Sequence, residues 1–319
     1  MKQYWLQRLG AAIGLLLAVS ALTFGAMNLL GDPLFNILGP TAASTTPEDL
    51  EIIAAAEAEY NLDDPLPVRY VKWASAFVTG DFGVQFSSDG QPPVSDLIKE
   101  RLPRTLMLLI MAQTMAIMVA VPWALLAASK ADKAVDKIST ITAFLFIAVP
   151  NVGLAVILKY LFALKFSIFP LIYNASDPFW SRVWQMMLPA ISLALPAAAI
   201  YQRLLRTDLI TTLQEDYILT ARSKGVSKRN VLFKHALRPS LFSFITIVGI
   251  TTGALLGGSL IVEQVFIIPG LGSAIVEAIL REDFPVVLAI VMIVTAAFVM
   301  INIIVDLIYS LIDPRVRTE

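Results

Sequence analysis

Few side chains in this sequence can do chemistry. There is no cysteine and a single histidine, His235, which excludes thiolate nucleophiles, disulfides, Cys-rich zinc sites and poly-His metal cages. Nothing matches the G-x-x-x-x-G-K-[ST] phosphate cradle, so a nucleotide held that way must sit on another polypeptide. Asp81-Phe82-Gly83 shares only letters with the kinase metal-binding triplet and reads as a turn. Asn174-Ala175-Ser176 fits a glycosylation acceptor, a tripeptide common by chance. A Ser or Asp hydrolase using His235 lacks the buried charged partner that a catalytic dyad needs. The side chains left to consider are basic and clustered: Arg203 to Arg238 holds eight Lys or Arg residues together with His235.

The elements that must position this cluster lie in a membrane. Of 319 residues, 57% are hydrophobic and 15% charged, with mean hydropathy +0.74, against roughly 25% charged in soluble domains. Six stretches lack Lys, Arg, Asp and Glu over a length able to cross the hydrocarbon: Leu9 to Leu30, Thr105 to Ser129, Ile138 to Leu158, Val183 to Gln202, Pro239 to Val262 and Phe284 to Val305. Pro189 and Pro196 predict a kink in the fourth. The first exceeds a signal-peptide core and reads as a retained helix. The fold class expected is all-α, polytopic, with six transmembrane helices.

Charge sets the orientation. Alternation puts 1–8, 130–137, 203–238 and 306–319 on one side, with 15 of the 24 basic residues, while the other side carries 17 of the 25 acidic ones. The basic side is the cytoplasmic one, so both termini are expected there. The net charge of −1 offers no field for nucleic acid, and membrane lipid is the expected surroundings. The chain divides into 1–30 (amino-terminal end and first span), 31–104 (an extracytoplasmic cap with the lead-in to the second span) and 105–319 (the core, including the loop 203–238). Within the cap, Pro47 to Tyr60 has a helix-start proline and early acidic residues. Val94, Leu97, Ile98 and Leu102 follow a helical period, predicting an amphipathic stretch lying at the interface.

In the basic loop, Ile210, Leu213, Tyr217 and Ala221 recur at helical spacing and predict one apolar stripe. Gly225 interrupts it, and Ser227 can cap a second helix through Val231, Leu232 and His235. Helix, tight turn, helix is the expectation, a pair able to convey force as a rigid body. On charge alone, a loop attracted to anionic lipid is the simpler reading. Gly249, Gly253 and Gly257 share one face of the fifth span and predict a packing seam, with a sliding or pathway-lining face as the alternative. Gln113, Thr114, Ser192, Gln202 and Asn302 can line a polar path or pack helices.

Asp216-Tyr217, Thr220-Ala221-Arg222-Ser223-Lys224-Gly225 and His235-Ala236-Leu237-Arg238 resemble the cytoplasmic "EAA" loop of binding-protein-dependent ABC importer permeases, in the form of the dipeptide/oligopeptide branch. The general pattern is only partly kept: Leu219 and Thr220 hold its first two positions, and Arg238 stands where proline is usual, with Pro239 next. Gly31-Asp32-Pro33, Leu62 to Tyr70, Gly80-Asp81-Phe82-Gly83, Glu263 to Phe266, Pro269 to Gly272, Arg281 to Val286, Asp306 to Tyr309 and Asp313-Pro314-Arg315 extend the likeness along the chain. They resemble the longer-looped, first permease of such pairs. The resemblance implies a type I importer fold, a bacterial cytoplasmic membrane location and no catalytic, metal or cofactor site in this chain. It also implies a second permease subunit as heterodimer partner, two ATP-binding subunits holding ATP and Mg, and an extracytoplasmic solute-binding protein. Asp216, Tyr217, Ala221, Arg222, Lys224 and Gly225 would form the surface through which ATPase subunits drive alternating access.

An ion-coupled secondary transporter is the alternative from another class. Such proteins carry ionisable groups within their spans, and the six stretches as read contain none.

Overall fold

The computed structural model describes residues 2–30, 33–88 and 90–312, and the described residues are helical almost throughout. Gly31-Asp32 and Asp313-Pro314-Arg315 lie outside them. The chain forms two compact units, Met1–Arg104 with Pro269–Val299, and Thr105–Ile268 with Met300–Glu319. Among the described residues, five helices are long and apolar enough to cross a membrane, or six when one bent pair counts as a span. This is the all-α polytopic architecture that the six apolar stretches require.

The first unit begins with α1 (Lys2–Leu30), followed by α2 (Pro33–Leu38), a 3-10 turn (Gly39–Ala43), α3 (Pro47–Glu59) and α4 (Leu66–Thr79). The helix read at Pro47 to Tyr60 is α3. Its start is fixed by Thr46, whose hydroxyl accepts from the Asp49 backbone N–H and donates to the Asp49 carboxylate at 2.6 Å. Ser44 Oγ donates to the same carboxylate. Reciprocal bonding of this kind satisfies donors that a helix start leaves unpaired. An aromatic run ties α1 to α4: Phe24 packs at 5.6 Å from both Tyr70 and Trp73, and Trp73 leads through Phe77 to Phe82. Gly80 ends α4 in the left-handed conformation, at φ 89°.

The segment expected to lie at the interface is instead the first turns of α5 (Val94–Ser129). Val94 and Ile98 are buried in a cluster with Leu271, Ala274 and Ala278 of α12 (Leu271–Leu280) and Val286, Val287 and Ile290 of α13 (Phe284–Ile312). The helical period was sound, but its apolar face meets protein. Pro269 to Gly272 leads into the ten-residue α12.

The second unit contains the rest of α5, then α6 (Ala134–Ala148), α7 (Asn151–Leu158), a π-helical stretch (Lys159–Lys165), α8 (Phe179–Thr212), α9 (Asp216–Ser223), α10 (Lys228–Asn230), a second π-helical stretch (Val231–Ala236) and α11 (Leu237–Phe266). The third span is not one straight helix. It breaks between α6 and α7 with a bend of 99°. Val149 is extended (φ −81°, ψ 124°) because Pro150 follows it, and a residue before proline is pushed out of the helical region. The fourth span runs unbroken through Pro189 and Pro196 and ten residues beyond Gln202. A packed helix does not stop where its apolar composition does.

Candidate coupling site

Three helices converge where α8 ends. Thr211 and Thr212 are poor helix formers, and α8 stops there; Glu215, with an extended backbone, opens α9. The expected single stripe is therefore split. Ile210 and Leu213 belong to the end of α8, while Tyr217 and Ala221 lie on α9, whose buried residue is Ile218. The break resets the helical phase, so a stripe drawn across it names the wrong inward face. Asp216 in the first turn and Arg222 in the last complement the helix dipole.

The turn after α9 follows the sequence reading. Gly225 is left-handed at φ 79°, its N–H donates to Arg222 O at 3.0 Å, and the Val226 N–H donates to Ala221 O at 3.2 Å. Those two bonds make a Schellman closure, which needs a residue that tolerates positive φ. Among the described residues no heavy atom lies within 4 Å of where a Cβ on Gly225 would stand, so backbone conformation, not crowding, favours glycine there. Ser227 then caps α10 by accepting from the Asn230 N–H. The second helix of the pair is not separate, since α10 passes through the π stretch into α11.

The π stretch has a cause in Pro239. In an α-helix the N–H of residue 239 would bond His235 O four residues back, and proline has no N–H to give. Tyr217 fills the gap: its hydroxyl donates to His235 O at 3.3 Å. One residue on, the Ser240 hydroxyl donates to Ala236 O at 3.0 Å. Ile218, Val231 and Ala236 are buried where α9 packs on this stretch. Burial raises the Tyr217 phenol above its usual value, and Glu215 adds to it. Of the expected docking residues, Asp216, Tyr217, Arg222, Lys224 and Gly225 are exposed and Ala221 is half-buried, all on one short helix and its closing turn.

Two features missed in the sequence reading fix the end of α8. Arg206 grips Asp136 at the start of α6 with both Nε and Nη2, the second bond measuring 2.5 Å. Asp136 is 2% exposed and also accepts from the Asp132 N–H. One turn earlier in α8, Gln202 Nε2 donates to Ser139 Oγ at 2.8 Å, both residues buried. Asp136 and Arg206, read only as charges of the connecting segments, and Gln202, read as lining a path or packing helices, thus pair α6 with α8. The signal available was the spacing: 136 and 139 on one helix, 202 and 206 on the other, each pair one turn apart.

Other polar residues of the spans behave similarly. Gln113 of α5 hydrogen-bonds the Tyr201 hydroxyl of α8, which also meets Thr251 Oγ1 of α11 at 2.5 Å. Ser192 is buried and donates to Pro189 O. Glu263 was also missed, because the fifth span was closed at Val262: it lies buried in α11 and accepts from Thr105 Oγ1 at 2.7 Å. The glycine seam is only partly a seam within this chain. A Cβ on Gly249 would come 2.6 Å from Val305 Cγ2, whereas Gly257 is exposed, with nothing within 4 Å among the described residues. Gly258, not Gly257, meets a neighbour, at 3.3 Å from Asn151 Nδ2 and 3.4 Å from Leu193 Cδ2. Gly253 is half-buried.

The binding-protein-dependent transport system inner membrane component family matches residues 120–318, from α5 through the whole coupling region. The chain is 35% identical over 322 residues to the oligopeptide transport system permease protein AppB of Bacillus subtilis, spanning 99% of this chain and 100% of that protein. It is 37% identical over 319 residues to a putative peptide transport system permease protein of Brucella abortus, spanning 98% of each. Among solved structures, an amino acid ABC transporter crystallised with histidines superimposes with a TM-score of 0.54 over 67% of this chain and 94% of that one, at 16% identity, a likeness of fold alone.

Proposed function

Because the chain belongs to the binding-protein-dependent transport system inner membrane component family, we propose that it is the permease of an ATP-driven peptide importer, worked through α9. The peptide substrate follows from the two relatives, both described as peptide or oligopeptide permeases and matched end to end. The observation that carries the mechanism is the exposed α9, held by a left-handed glycine turn between two long helices. Asp216, Tyr217, Arg222 and Lys224 present its surface to an ATP-binding subunit, Ala221 packs beneath, and Gly225 sets its angle. Closure of the ATP-binding subunits pushes α9, and the push enters α8 at its carboxyl end and α11 at its amino end. The spans then tilt, and access passes from one side of the membrane to the other.

In this reading the chain itself catalyses nothing. It works beside a second permease subunit, two ATP-binding subunits that hold ATP and Mg, and an extracytoplasmic solute-binding protein. The loop between α8 and α11 then faces the cytoplasm, as do both termini.

Gly225→Val tests the assignment in the reconstituted complex. A β-branched residue at positive φ costs about 1–2 kcal/mol, so the turn opens and α9 loses its setting. Binding-protein-stimulated ATP hydrolysis should continue while labelled peptide uptake per ATP falls roughly tenfold. Unchanged uptake per ATP in that variant overturns the coupling role of this turn.

A further inference from the structure

The α6–α8 contact has two polar rungs. Asp136 with Arg206 forms the first and Ser139 with Gln202 the second, three residues apart on α6 and four apart on α8. That spacing puts both rungs on one face of each helix, on neighbouring turns. Apolar packing continues the same face, where Ala143 of α6 and Ala198 and Ala199 of α8 are fully or almost fully buried. The strong rung lies toward the end of α8 that leads into α9, six residues before Thr212. At its other end α6 stops at the 99° bend of Val149 and Pro150. Beyond the bend the chain is tied elsewhere: Lys159 Nζ donates to Val265 O of α11 at 2.6 Å, and Asn151 lies against Gly258 of α11.

Chemistry separates these rungs from ordinary helix packing. A carboxylate as buried as that of Asp136 is stable as an anion only with a close counter-charge and further donors. The planar guanidinium supplies two parallel bonds, which fix direction as well as distance. Sliding α6 by one turn past α8 would separate both rungs at once and leave an uncompensated charge. Such a pair tolerates tilting as one body and resists shear.

We propose that Asp136 and Arg206 are positioning residues that weld α6 to the working end of α8, so that load arriving through α9 moves both helices together as far as the Pro150 bend. This rests on the coupling role assigned to α9. Without the weld, the carboxyl end of α8 flexes under the same push, and hydrolysis proceeds without moving the spans.

The test uses the complete complex in proteoliposomes, with the solute-binding protein and labelled di- to pentapeptides. The chain contains no cysteine, so Ser139→Cys with Gln202→Cys introduces the only thiols of this subunit, which a short bifunctional thiosulfonate can bridge. Asp136→Asn should keep stimulated ATP hydrolysis and lower peptide uptake per ATP by roughly tenfold. Bridging in the Asp136→Asn background should restore the ratio, a rescue that a general folding defect would not show. Bridging in the otherwise unaltered chain should leave transport at its unbridged rate. If that bridge arrests transport, α6 and α8 must slide during the cycle and the proposal falls; this arm decides even where Asp136→Asn does not assemble. An unaltered uptake ratio in Asp136→Asn also overturns it. Gly225→Val separates the two ideas: if it uncouples and Asp136→Asn does not, only the weld is lost, and if it does not uncouple, the assignment of α9 is at fault.

Discussion

The third and fourth spans both contain proline, and they answer it in opposite ways. Pro150 ends α6 and turns the chain by 99°, whereas α8 carries Pro189 and Pro196 without interruption. Surroundings make the difference. Pro189 is buried between Leu188 and Ala190, themselves buried. Pro150 is exposed beside exposed Ile147 and Ala148, with the stiff Val149 in front of it. A third answer occurs at Pro239, where the helix widens into a π stretch and Tyr217 supplies a donor from another element. A missing N–H therefore breaks a helix only where the turns on either side are not held by other packing.

The largest effect is expected from Pro150→Ala. A proline inside a helix costs about 3 kcal/mol relative to alanine, so its removal should favour a straighter third span and impair transport. Spin labels on Leu145→Cys and Ile157→Cys, both exposed sites flanking the bend, would report a longer separation. An unchanged distance would mean that packing, not proline, makes the bend. Tyr217→Phe should have an intermediate effect, since one hydrogen bond contributes about 1 kcal/mol. Local opening of α9 should then rise roughly fivefold, read as faster tryptic cleavage after Arg222 or Lys224. The smallest change in span geometry belongs to Pro189→Ala, since α8 is already continuous there, so the distance between spin labels placed on either side of it should stay the same. A changed distance there would show that the proline shapes α8 after all.

These contrasts also explain which parts of the molecule the sequence discloses. Hydropathy located the spans because an apolar run is a property of composition. It could not locate the third-span break, since Val149 and Pro150 sit inside an uninterrupted apolar run. Charge closed the fourth span at Gln202, yet α8 continues because Arg206 finds Asp136 on another helix. That partner lies 70 residues away in the chain, beyond the reach of periodicity. Gly225 and Ser227 were legible because positive φ and helix capping are local preferences. Ile218 was hidden behind the interruption at Leu213 to Glu215, which shifts the phase of everything after it.

At the start of α3 a single carboxyl governs acid tolerance. Hydrogen bonds from Ser44 first, then Thr46, hold the Asp49 carboxyl below its ordinary value. A depressed acid lends its support wherever the unfolded form would already be ionised, and withdraws it only as acidity reaches the folded value. Mildly sour surroundings should therefore leave this helix anchored, and the cap should begin to fray there only in media more acidic than an ordinary aspartate would survive.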